Sequence, residues 1–113
     1  MKDDRLYLVH IRECIERIEQ YTTAGRGAFD ADTKTQDAVL RNLHTLAEST
    51  QRLSPTLKAR HPEVDWQAIA GFRNVLVHDY LGINLDRVWL AVERNLPELK
   101  THVDVMLAEL GGP

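Results

Sequence analysis

Apolar residues recur at three- and four-residue steps through four successive stretches of this chain, and no alternating run of useful length interrupts them. A chain patterned this way folds as packed amphipathic helices. The first stretch, from about Asp3 to Thr23, carries Tyr7, Ile11, Cys14, Ile15, Ile18 and Tyr21 on one face. Asp3 and Asp4 are placed to cap it and to favour its dipole. Gly25 and Gly27 are expected to end it, with a loop running to Asp30.

The second helix is expected from Asp32 or Thr33 to about Leu53, with Val39, Leu43, Leu46, Thr50 and Leu53 as its seam. Ser54-Pro55 breaks it. A helical turn over Thr56–Arg60 follows, and His61-Pro62 breaks the chain again. The third runs from Val64 or Asp65 to Leu81, before Gly82. The fourth runs from Asn84 to about Leu110 on the stripe Val88, Val92, Leu96, Leu99, Val103, Met106 and Leu110, with Pro97 set to kink or split it. The natural packing is an all-α, up-and-down bundle of four to five helices, and the 113 residues make one domain, 1–113.

Composition narrows the function. A net charge of −3 argues against a broadly basic nucleic-acid-binding surface, although ten of the fourteen cations are arginine, the better fork for phosphate. The one cysteine, Cys14, excludes an internal disulfide and any multi-cysteine zinc site, and its place on an apolar stripe reads as a buried, inert thiol. His10, His44, His61 and His102 show no trusted metal-ligand spacing and read as surface histidines, so neither metal nor cofactor is expected. Trp66 and Trp89 read as core anchors. A charged start without an apolar signal core, and no apolar run near the 18 or so residues of a membrane span, suit a cytoplasmic protein.

The third helix is the unusual one. With residues at about 100° steps, Trp66, Ile69, Leu76, Val77 and Tyr80 all fall within about 60° of Arg73, which puts a guanidinium in the middle of an apolar face. Three explanations stand. The stem reaches an edge, the head meets a carboxylate (Glu48 or Asp37 of the second helix), or the face opens on a cleft where a phosphate binds. The other side mixes Gln67, Gly71, Asn74, Val75 and His78, small and apolar enough to suggest contact with a second chain. Arg73 and His78 lie about 140° apart on an ideal helix, so their convergence on one atom needs the long arginine stem, an irregular helix end or a second subunit.

Arg73-Asn74-Val75-Leu76-Val77-His78-Asp79-Tyr80 has the form Arg-x-x-x-x-His-x-Tyr. It resembles the signature of the HEPN superfamily, in particular the HepT toxins paired with minimal nucleotidyltransferase (MNT) antitoxins. The resemblance covers nearly the whole chain, including Ile11–Ile18, Gln36–Leu43, Ile69–Asn74, Val88-Trp89 and Leu96–Lys100. Departures from the family pattern stand at His44, for an acid, and Ala47, for a glycine. The resemblance implies a bundle that dimerises through the motif-bearing helices and cuts RNA, tRNA or mRNA, without metal in a composite cleft. It implies Arg73 and His78 as catalytic residues, Asn74 as their support, and an MNT-type antitoxin that transfers AMP to Tyr80. The chemistry is coherent, because a histidine can serve as acid or base near neutral pH and an arginine fork can stabilise the crowded phosphate. The alternative is a non-catalytic HEPN subunit that presents a surface, or an acceptor tyrosine, to a nucleotidyltransferase.

Overall fold

A computed structural model describes residues 4–77 and 84–111, side chains 74–77 excepted. Among the described residues the secondary structure is entirely helical. Four long helical rods are joined through two short helices. They are α1 (Asp4–Tyr21), α2 (Arg26–Ala31), α3 (Thr33–Gln51), α4 (Pro55–Ala59), α5 (Trp66–Val77), α6 (Leu85–Leu90) and α7 (Leu96–Glu109). A π-helical turn over Ala91–Asn95 joins α6 to α7. Helix α1 packs between α3 and α7, and α3 packs between α1 and α5. The bundle expected from the periodicity is the one observed.

Its core is the inner faces of α1, α3 and α7. Leu8, Ile11, Cys14, Ile15 and Ile18 are buried on α1, with Val39, Leu43 and Leu46 opposite and Leu99, Val103 and Met106 closing the third side. The seam read on α3 is buried through Thr50 and Leu53. Thr50 avoids an orphaned hydroxyl by donating to the Leu46 carbonyl at 2.9 Å. Leu8 belongs to this core although the α1 stripe omits it, and Tyr21 at the far end is exposed. Cys14 is fully buried, and desolvation raises its pKa, so it is held as the thiol.

Several local expectations are corrected. The segment expected as a loop to Asp30 contains α2, which follows Gly25, a residue at φ 94°. That left-handed turn suits glycine and reverses the chain. Phe29, buried on α2, then stacks in a tilted arrangement on Trp89, with centroids 5.4 Å apart. One apolar anchor on a six-residue helix leaves no periodicity to detect. Asp32 caps α3 by accepting from the Lys34 N–H, and its bond from Thr35 is the main cause of its lowered pKa.

Asp4 does not cap α1. Its two carboxylate oxygens accept from the Ser54 N–H at 2.8 Å and the Ser54 hydroxyl at 2.6 Å, which fastens the start of α1 to the α3–α4 link. Asp3 lies outside the described residues. The break at Pro97 is real but takes a particular form. Proline has no N–H to give, and the preceding turn widens, with the Leu96 N–H bonding back to the Ala91 carbonyl.

His61 is not a surface residue. It is buried, with Nδ1 3.2 Å from Glu63 and Nε2 2.9 Å from Glu109 of α7. Its carbonyl accepts from the Trp66 indole at 3.1 Å, so the loop before α5 is tied at both ends. Glu63 has a lowered pKa, first from a backbone N–H and then from His61. Both tryptophans are the structural anchors the sequence suggested.

Candidate functional site

Helix α5 starts after Asp65, whose carboxylate accepts from the Ala68 N–H at 3.0 Å and so satisfies a first-turn donor. Ile69 is buried against the core, and Trp66 and Phe72 pack beside it half-buried. Arg73 follows one position after Phe72, at the edge of this face and against the last turn of α3. The guanidinium is therefore not in the apolar interior. Its side chain is 46% exposed, which removes the desolvation problem the helical wheel raised.

Of the two carboxylates considered as partners, the structure selects Glu48. Arg73 Nε lies 3.6 Å from Glu48 Oε2, and an Arg73 terminal nitrogen donates to Gln51 Oε1 at 3.4 Å. Asp37 precedes Glu48 by eleven residues, about three turns along α3, and belongs to the opposite end of the helix. Glu48 Oε2 is also 3.8 Å from His44 Nε2, its neighbour one turn earlier. His44 thus stands beside the carboxylate that faces Arg73.

Among the described residues, α5 borders two grooves of several hundred cubic ångströms. One, of about 480 Å³, is polar and open, lined by Gln51, Asp65, Gln67, Ala70, Gly71 and Arg73. The other, of about 320 Å³, is more apolar and runs between α3, α5 and α6 past Leu43, Phe72, Val88 and Leu90. Both include Ala68 and Gly71, the small residues that separate them. A Cβ built on Gly71 would meet nothing within 4 Å, so the glycine leaves an open surface and is not required by a close helix contact.

Of the four site residues named from the sequence, Arg73 is placed as above. Asn74 lies in the α5 backbone and its side chain is outside the described set; His78 and Tyr80 lie outside the described residues altogether. Gln51 and Asp65 were not singled out by sequence reading. Gln51 was accessible to it, since it stands three residues after Glu48 on the same face of α3. Among the described residues no group of three His, Cys, Asp or Glu side chains is placed to hold a metal, and no helix is long and apolar enough to cross a membrane.

The sequence that builds this bundle matches a known class of protein. The family model described as "Ribonuclease HepT-like" matches residues 11–106. The chain belongs to this HepT-like family. Its relatives include a "Probable ribonuclease HepT" of Thermococcus cleftensis, 37% identical over 83% of this chain and 86% of that one. The "mRNA nuclease HepT" of Shewanella oneidensis is 30% identical over 88% of this chain and 92% of its own. A third, the "Gamma-glutamylcyclotransferase and putative RNase" of Methanocaldococcus jannaschii, is 32% identical over 96% of this chain, which spans half the length of that relative. No solved structure matches the chain at a significant level.

Proposed function

We propose that the protein is a metal-independent endoribonuclease that acts on tRNA or mRNA as the toxin of a HEPN/MNT pair. The observation that carries this reading is Arg73. The first residue of the Arg-x-x-x-x-His-x-Tyr pattern is presented half-exposed beside an open polar groove, in a chain of the HepT-like family. In the proposed reaction the ribose 2′-hydroxyl loses its proton to a base and attacks the adjacent phosphorus. The 5′-oxygen leaves with a proton from an acid, and a 2′,3′-cyclic phosphate and a 5′-hydroxyl result. His78 serves as base or acid, and its counterpart from a second copy serves the other role. Arg73 stabilises the charge on the pentacoordinate phosphate, and Asn74 supports the pair.

The angular separation of Arg73 and His78 on an ideal helix favours a homodimer, in which motifs from two chains face one cleft. Open Ala68 and Gly71 on α5 are consistent with a partner there. The antitoxin is taken to be an MNT-type nucleotidyltransferase that adds AMP to Tyr80. The added phosphate brings negative charge and bulk to the place where the RNA phosphate sits.

The test is cleavage of tRNA and mRNA in EDTA by protein whose intact mass shows it unmodified, beside His78→Ala. Cleavage by the wild type, lost in the variant at unchanged folding, is expected. No cleavage of either RNA class by unmodified dimer would favour the non-catalytic HEPN subunit of a nucleotidyltransferase complex. Mass addition in AMP units on incubation with ATP and an MNT-type antitoxin, absent in Tyr80→Phe, checks the acceptor.

A further inference from the structure

Arg73 is the one charged residue between Trp66 and Val77, so its own helix offers no ion partner within this span. Its stem carries several rotatable bonds, and a guanidinium left free on it would sample many positions. Among the described residues, both polar contacts that locate it come from α3. Glu48 lies at Nε and Gln51 at a terminal nitrogen, and the two are three residues apart on one face. A guanidinium is planar, so contacts at two of its nitrogens define its orientation as well as its position. Among the described residues neither contact uses the third nitrogen, which can serve a ligand in the groove that Gln51 and Arg73 line together.

We propose that Glu48 is a positioning residue for Arg73, with Gln51 as its auxiliary, and that the pair orders the guanidinium before a phosphate arrives. What Arg73 does once ordered rests on the nuclease reading above; the ordering itself does not. The contact is a poor source of stability, because Arg73 and Glu48 are 46% and 41% exposed and water screens them. Its value lies in geometry, since a charge-stabilising group displaced by about 1 Å loses on the order of 10²-fold in rate. The carboxylate has an opposing effect on binding. It sets a negative charge next to the groove and repels RNA. Positioning and repulsion therefore act on different kinetic constants.

Glu48→Gln separates them. It removes the charge, keeps the shape and leaves an amide that holds a guanidinium weakly. We expect kcat on RNA to fall about 10- to 100-fold while KM stays the same or drops, at unchanged thermal midpoint. Glu48→Asp, which keeps the charge but withdraws it by one methylene, should lie between, and Gln51→Ala should fall less than Glu48→Gln. An unchanged or raised kcat in Glu48→Gln, where Arg73→Ala abolishes cleavage, would overturn the positioning role and leave the nuclease reading intact. If the wild type cuts no RNA, that reading fails and the inference is decided by NMR. The Arg73 Nε–Hε resonance should report a restricted side chain in the wild type and an averaged one in Glu48→Gln. Equal mobility in the two would overturn it.

Discussion

Helices α1 and α5 both lie along α3, yet they use their apolar residues in opposite ways. Helix α1 is rich in charge and still buries Leu8, Ile11, Cys14, Ile15 and Ile18. Helix α5 has a single charged residue and, over Trp66–Arg73, fully buries only Ile69. Ala68, Gly71 and Phe72 line the apolar groove that is left. A helix with few charges is ordinarily the interior one. Over the side chains described, the more polar helix is the better buried, and Trp66–Arg73 of the less polar one keeps more of its surface open. Burial on α1 serves folding; the open part of α5 borders both grooves.

That contrast predicts that substitutions sort by side. The largest effect belongs to the packed side, where Phe29→Ala deletes a buried ring stacked on Trp89. It should cost about 3–5 kcal/mol in denaturant unfolding and leave the activity of the folded fraction unchanged. On the display side, Arg73→Ala should lower RNA cleavage by at least about 100-fold, equivalent to about 2.7 kcal/mol of barrier, while the unfolding free energy moves by less than about 0.5 kcal/mol. A large stability loss in Arg73→Ala would break the division.

Gly71→Ala sharpens it further. An interior helical glycine without neighbours should gain about 0.5–1 kcal/mol on replacement by alanine. A chain that becomes more stable but dimerises or cuts less well would show that the glycine is kept for contact. Smaller still is the acid response. Glu63 has a lowered pKa when folded, so its contribution is complete above the ordinary glutamate range and is lost as pH falls through its depressed value. Glu63→Gln should flatten the acid limb of a stability-against-pH curve, with a small loss of stability at neutral pH and almost none at low pH.

The sequence made the long rods legible for a simple reason. Helices α1, α3 and α7 each bury a stripe across about three turns, and α3 shows it from Val39 to Thr50. Helix α2 was illegible because it is six residues with one anchor and two glycines nearby. His61 was misread because its burial is created by Glu109, forty-eight residues away, and no local pattern carries that. At the site, the sequence offered Glu48 as a candidate partner for Arg73, and that contact forms, but the helical wheel set the guanidinium in the middle of an apolar face. It could not show that Arg73 lies at the helix edge, because that depends on where α3 ends. Asp4 was misassigned for a similar reason, since its choice between its own N-terminus and Ser54 is settled by tertiary contact.

The widened turn at Ala91–Asn95 lets the last rod carry one residue more than regular winding would, with the apolar positions on either side still in phase. Buried positions run Val88, Ala91, Leu96, Leu99, with a five-residue step across the turn where an α-helix would take three or four. Deleting one residue there would shorten that step to four, the ordinary α-helical repeat, and restore regular winding with both flanks on the same face. Val88 would stay in the core and Trp89 would stay on the side of Phe29. The segment that carries one wall of the apolar groove thus keeps its phase with the rest of the bundle because the widened turn absorbs a single surplus residue.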